Sequence, residues 1–79
     1  MKSEDGVVTY RAIPVPGQLV EVRRRQWTVL NVDGSQVFTA GRRHLTRLAS
    51  IDEDGLGEEL EVIWEIEPGA QIIERAGLP

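Results

Sequence analysis

The stretch EELEVIWEIE, residues 58–67, contains the clearest structural pattern in this chain. Its apolar residues alternate with glutamates, and a period of two is typical of a strand with one buried and one solvated face. The side predicted to be buried consists of Leu60, Val62, Trp64 and Ile66. The opposite, acidic side consists of Glu59, Glu61, Glu65 and Glu67. The pattern predicts a fold built on half-buried strands.

Further extended segments are separated by residues that favour turns. They are predicted at residues 7–13, 18–24, 26–32, 36–40, 44–52 and 70–74. Pro16-Gly17 and Pro68-Gly69 suit tight turns, since proline presets φ and glycine accepts a positive φ. Residues 44–52 also suit a short helix, but a strand is favoured because they include poor helix formers.

Residues 26–32, QWTVLNV, are followed by Asp33-Gly34, a dipeptide that favours a hairpin turn between extended segments. The return arm is predicted at residues 36–40. Inside QWTVLNV the apolar side changes from Trp27 and Val29 to Leu30 and Val32. Either a β-bulge or burial of both faces would explain this change.

A chain of 79 residues allows one small domain. We expect an all-β fold, a small SH3-like antiparallel β-barrel of five or six short strands, since closure leaves no exposed sheet edge. An OB-fold is the alternative. The domain is predicted to cover residues 7–75, after a disordered tail at 1–6 and before the start of a linker at 76–79.

The composition excludes several kinds of site. The chain has no cysteine, and its single histidine, His44, cannot build a multi-histidine zinc site. No serine lies in a motif that would pair it with His44, and the acidic run at 52–59 lacks the ligand spacing of an EF-hand. We therefore expect no catalytic residue, metal or cofactor. No apolar run approaches the roughly 20 residues of a membrane span, and the acidic start is unlike a signal peptide, so a cytoplasmic protein is expected.

Charge is distributed unevenly along the chain. Residues 1–50 hold eight basic and four acidic residues, whereas residues 51–79 hold one basic and nine acidic residues. One explanation is cross-strand ion pairing inside the sheet. The other is an arginine surface for phosphates, although the acidic half would repel nucleic acid. The candidate nucleic-acid contacts are Arg23, Arg24, Arg25, Arg42 and Arg43. The candidate contacts for a protein partner are Glu59, Glu61, Glu65 and Glu67.

Residues 16–79 resemble the β-rich region ahead of the ATPase core in large bacterial Swi/Snf-type, superfamily-two helicases, including the helicase of the DISARM antiphage system. The segments that carry the resemblance are PGQLVEVRRRQWTVLNV, HLTRLASIDEDGLGEELEVIWEIEPGAQIIE and the terminal GLP. The matching positions are Pro16, Gly17, Arg25, Trp27, Gly57, Glu58, Glu59, Val62, Trp64, Glu65, Pro68, Gly69 and Ala70.

The resemblance implies a non-catalytic accessory domain of a DNA-dependent ATPase, whose ATPase lobes would follow Pro79. Its implied partners are that downstream ATPase domain, DNA and other subunits of a defence system. A Walker motif and an acidic magnesium-binding box, which the parent's activity would need, do not occur in these 79 residues. The alternative function is a module that docks a protein partner through its acidic strand or an open sheet edge. A free-standing regulator is the third possibility.

Overall fold

The computed structural model describes residues 7–38 and 41–75 and contains six strands. They are β1 (Val7–Tyr10), β2 (Leu19–Val22), β3 (Arg25–Phe38), β4 (Gly41–Ser50), β5 (Glu59–Ile63) and β6 (Gln71–Arg75). Two 3₁₀ turns, Glu53–Gly55 and Trp64–Ile66, flank β5. The tail predicted at residues 1–6 and the linker predicted at 76–79 lie outside the described residues. The predicted all-β fold of five or six strands is confirmed.

All six strands form one antiparallel sheet in the order β1-β6-β2-β3-β4-β5. The predicted closure into a barrel is not seen, because in the described part of the chain the end strands β1 and β5 do not pair with each other. The chain leaves β5 in the Trp64–Ile66 turn and returns as β6 between β1 and β2, so among residues 7–38 and 41–75 β5 pairs with β4 alone.

A side chain connects the two ends of the sheet in place of a backbone ladder. Arg11 directly follows β1, and its guanidinium donates hydrogen bonds to the carbonyl oxygens of Trp64 at 2.6 Å, Ala70 at 3.0 Å and Glu67 at 3.2 Å. The guanidinium carbon also lies 5.9 Å from the centre of the Trp64 ring system. Arg11 therefore links β1 to the segment that leaves β5 through three backbone carbonyl groups. Two of these also accept backbone hydrogen bonds, that of Trp64 from Glu67 and that of Glu67 from Ala70.

Both tryptophans belong to the hydrophobic core, as predicted. The buried core residues are Val20, Val22, Trp27, Val29, Leu48, Val62, Trp64, Ala70 and Ile72. Trp27 Nε1 donates a hydrogen bond to the carbonyl oxygen of Val22 at 3.0 Å. Trp64 Nε1 is buried without a partner among the described residues. The apolar contacts of the Trp64 ring must therefore offset the cost of an unsatisfied N–H group.

A β-bulge explains the change of apolar side within residues 26–32. Val29 pairs with Leu48 and Asn31 with Arg47, so β3 has one extra residue, Leu30, opposite β4. Leu30 is 42% exposed, while Val29 is buried and Val32 packs against the core. Of the two explanations drawn from the sequence, the bulge is confirmed.

The hairpin turn predicted at Asp33-Gly34 is wrong. β3 continues through these residues, and the chain reverses between Phe38 and Gly41, which pair with each other. A second register shift separates Asp33 from Gln36, and the Asp33 carboxylate accepts hydrogen bonds from the Ser35 backbone N–H at 2.9 Å and from its hydroxyl at 2.6 Å. A type I′ turn would need a positive φ at both Asp33 and Gly34, but neither residue has one, and the pairing of β3 with β4 continues on both sides of them.

The predicted strand at residues 58–67 is also shorter than expected. β5 ends at Ile63, and the Trp64–Ile66 turn changes which way the later side chains face. Trp64 is buried as predicted, but Ile66 is 59% exposed and does not belong to the core. Glu65 and Glu67 consequently do not continue the acidic side formed by Glu59 and Glu61.

The two leucines beside the bulge should differ strongly in their contribution to stability. We expect Leu48→Ala to lower the free energy of unfolding by about 2–5 kcal/mol, because it leaves a cavity in the core. Leu30→Ala should change the same free energy by about 0.5 kcal/mol or less, because Leu30 is exposed. Urea unfolding followed by tryptophan fluorescence measures both values. Equal losses in the two variants would contradict the assignment of the bulge.

Candidate partner-binding surfaces

The run Arg23-Arg24-Arg25 lies at the turn between β2 and β3, where Val22 pairs with Arg25. Arg23 and Arg24 have φ of +57° and +64°, the left-handed backbone that a type I′ hairpin turn requires at both central residues. Asn and Gly usually occupy these positions, because left-handed backbone costs other residues about 1–2 kcal/mol each. The predicted strand at 18–24 therefore ends at Val22, and the arginine run forms a strained turn.

Arg23 contacts an acidic residue of its own chain. Its Nε lies 2.9 Å from Oε2 of Glu67, whose side chain is 11% exposed. The hydrogen bond with Glu67 and the attraction between the two charges raise the pKa of Arg23 above its usual range. Glu67 was predicted to bind a partner and Arg23 to bind nucleic acid, but in the structure they bind each other.

Arg25 is the centre of a polar network that joins β3 to the connection between β4 and β5. Its guanidinium contacts Glu58 at 3.1 Å, Asp52 at 3.2 Å and the Ser50 hydroxyl at 3.0 Å. It also stacks on Trp27, with its guanidinium carbon 4.7 Å from the ring centre. Hydrogen bonds to Glu58 and Asp52 raise the pKa of Arg25. The acidic run considered for calcium thus surrounds an arginine instead.

Arg42 and Arg43 lie at the other end of the β3–β4 hairpin. Arg43 pairs in register with Gln36, eleven residues along β3 from Arg25, which corresponds to roughly 35 Å of extended strand. Arg42 donates a hydrogen bond to the Gly34 carbonyl oxygen at 2.7 Å. The five arginines proposed for nucleic acid therefore form two separate groups. In the described part of the chain, Arg24, Arg42 and Arg43 have no carboxylate within ion-pair distance.

The four glutamates proposed for a protein partner are likewise divided. Glu59 and Glu61 are exposed on β5, and Glu61 lies opposite Arg47 of β4, with 3.7 Å between Arg47 Nε and a carboxylate oxygen. Glu65 and Glu67 belong to the turn after β5 and contact His44 and Arg23. Only the β5 glutamates remain on the acidic surface that the sequence pattern predicted.

His44 and Glu65 form a pair that sequence reasoning missed. Nδ1 of His44 contacts one carboxylate oxygen of Glu65, and the backbone N–H of His44 donates to the other at 2.9 Å. Burial raises the pKa of Glu65, but the hydrogen bonds from His44 outweigh burial and hold this pKa below its usual value. The imidazole ring of His44 also packs on Gly34. A Cβ atom at position 34 would lie 2.8 Å from this ring. The residues are 21 positions apart, and no local pattern links them.

Among residues 7–38 and 41–75, no group of three or more potential metal ligands comes together. The same residues include no helix with the length and hydropathy needed to cross a bilayer.

Neither a protein-family model, nor a curated protein, nor a solved structure matches this chain. Function is therefore inferred from the contacts described above and from the resemblance noted in the sequence.

The strain in the arginine turn predicts an unusual gain in stability. We expect Arg24→Gly to raise the free energy of unfolding by about 1 kcal/mol relative to Arg24→Ala, because glycine adopts left-handed backbone without a Cβ clash. Both variants remove the same charge, so they form a matched pair. Urea unfolding measures the difference, and a glycine variant less stable than the alanine variant would show that the turn is not strained.

The lowered pKa of Glu65 predicts how stability depends on pH. A carboxyl group with a lowered pKa in the folded state contributes stability above its unfolded pKa of about 4.3, and this contribution disappears as pH falls through the folded pKa. We expect the stability difference between the wild-type protein and Glu65→Gln to be largest above about pH 5 and to shrink towards pH 3. Urea unfolding across this range measures it. A difference that grows on acidification would contradict the His44–Glu65 pairing.

Proposed function

We propose that this chain is a non-catalytic accessory domain of a DNA-dependent, helicase-like ATPase, and that it acts by docking against protein rather than by holding DNA. The docked protein is the ATPase domain itself or a partner subunit. The observation that carries this proposal is that Arg11, Arg23 and Arg25 are engaged within the domain. Arg23 and Arg25 pair with carboxylates of the acidic half, and Arg11 binds backbone carbonyl groups.

Phosphate binding would need these guanidinium groups to be free. Glu58 and Asp52 already contact the Arg25 guanidinium group, and both carboxylates would repel a phosphate that came close to it. The basic groups that remain lie at opposite ends of β3, which does not provide the continuous positive surface along which a nucleic-acid backbone binds. The tryptophans Trp27 and Trp64 are 2% and 1% exposed and so are not accessible for stacking on bases.

Side chains that hydrolytic chemistry would need make structural contacts in this domain. His44 contacts Glu65 and packs on Gly34, and the Ser50 hydroxyl accepts a hydrogen bond from Arg25. These contacts support an accessory role for the domain, with ATP hydrolysis assigned to the parent's ATPase lobes. Because the resemblance is to bacterial DNA-dependent ATPases, the proposed location is the cytoplasm.

Two experiments distinguish DNA binding from protein docking. Fluorescently labelled duplex and single-stranded DNA are titrated with the chain at low salt, and we expect no saturable binding up to about 50 μM. In parallel, a Swi/Snf-type ATPase region from the same genome is produced as a separate chain. We expect the two chains to form a 1:1 complex in size-exclusion chromatography with light scattering.

A control variant identifies the source of any DNA binding. It replaces Arg23, Arg24, Arg25, Arg42 and Arg43 with glutamate. DNA binding that weakens steeply with salt and is lost in this variant would overturn the preference for protein docking. Absence of the complex with the ATPase region would remove the proposed docking of that domain, leaving a separate partner subunit as the alternative.

A further inference from the structure

We propose that the free edge of β5 binds an extended segment of a protein partner by strand addition. The segment carries Lys or Arg at alternate positions opposite Glu59 and Glu61, with an apolar residue between them beside Leu60. This inference rests on the proposed protein-docking function and adds the site and the chemistry of the partner.

The pairing with β4 determines which backbone groups of β5 face outwards. The Ser50 N–H donates to the Glu58 carbonyl oxygen at 2.9 Å, and the ladder continues with Leu48 opposite Leu60. Hydrogen-bonded pairs alternate in an antiparallel ladder, so the N–H and C=O groups of Leu60 and Val62 also face β4. Those of Glu59 and Glu61, together with the N–H of Ile63, consequently point away from β4, at the edge where the described residues place no other strand. The Ile63 carbonyl group instead begins the Trp64–Ile66 turn.

The side chains at this edge favour a partner with basic residues. Glu59 and Glu61 are exposed on the same side of β5, and Glu61 already has Arg47 opposite it on β4. A basic residue on an added strand would occupy the equivalent position on the free side of Glu61. Opposite charges at directly paired positions stabilise a sheet by about 0.2–1 kcal/mol per pair.

Leu60 indicates that the residue between the two basic residues of the added strand is apolar. This side chain lies on the core side of β5, packs against the buried cluster and is only partly buried. A surface depression next to the edge is lined by Arg47, Glu59, Leu60 and Glu61. An apolar residue of the added strand would cover the accessible part of Leu60 and extend the row in which Val29, Leu48 and Leu60 pair across the sheet.

A second copy of this chain fits the edge poorly. When two β5 strands pair antiparallel over their full length, Glu61 faces Glu61 of the other copy. Like charges directly opposite each other destabilise a sheet, and charged edge strands are a common protection against such self-pairing. The same glutamates therefore disfavour self-association and favour a basic segment, which gives the edge its specificity.

Synthetic peptides test the proposal directly. A seven-residue peptide of alternating lysine and valine is titrated into the ¹⁵N-labelled chain and followed by NMR. We expect saturable changes centred on the backbone amides of Glu59, Glu61 and Ile63. A peptide of alternating glutamate and valine should not bind. A third peptide has the lysine–valine sequence with an N-methyl group on every second amide nitrogen. It has the same charge as the unmodified peptide but lacks the N–H donors at the methylated positions, and it should bind at least about tenfold more weakly than the unmodified peptide.

A charge-reversal variant completes the test. Glu59→Lys combined with Glu61→Lys should lose binding of the lysine–valine peptide and gain binding of the glutamate–valine peptide, and circular dichroism checks that it folds. If the N-methylated peptide binds as tightly as the unmodified lysine–valine peptide, the interaction is charge attraction alone and strand addition is overturned. Strand addition is also overturned if the lysine–valine peptide does not bind, or if it shifts amides elsewhere in the chain. A complex with the ATPase region that leaves these three amides unchanged would retain the docking function and exclude this site.

Discussion

The burial of Trp64 is the constraint on which much of the rest of this structure depends. The indole lies in the core next to strands β4 and β5, and the chain turns directly after Ile63, which leaves Ile66 exposed and directs Glu65 and Glu67 towards partners within the domain. That turn brings Glu65 to His44 and Glu67 to Arg23, and it presents the carbonyl groups that Arg11 binds. One large apolar side chain thus organises the polar contacts around it, since its burial supplies far more free energy than each exposed ion pair.

The arrangement of charge follows from the same geometry. Folding brings parts of the acidic C-terminal half of the chain beside the basic N-terminal half, and Arg23, Arg25 and Arg47 lie within ion-pair distance of carboxylates from the acidic half. Arg25 shows this best, because one guanidinium contacts Asp52 and Glu58 and also stacks on Trp27. The docking surface proposed above is the edge of β5, next to the exposed Glu59 and Glu61.

Several features of the fold could be predicted from local sequence alone. The alternation of apolar residues and glutamates predicted β5 and the burial of Trp64. The change of apolar side at Leu30 indicated either a bulge or burial of both faces, since side-chain direction alternates strictly along a strand. The Asp33-Gly34 dipeptide misled, because both residues lie within β3 and neither has the positive φ of a type I′ hairpin turn. The arrangement of the candidate site residues could not be predicted in this way: the arginine run forms a strained turn, and the length of β3 separates it from Arg42 and Arg43.

The sequence by itself determined that this chain forms strands, that both tryptophans lie in its core and that opposite charges come from its two halves. These properties depend on residue type and on spacing between near neighbours. Only the tertiary structure decided that the sheet stays open at β5, that Arg11 reaches three distant carbonyl groups, and which carboxylate each arginine meets. Such contacts join residues 14 to 59 positions apart, and they follow from strand order and from the turn after Ile63, neither of which a local pattern encodes.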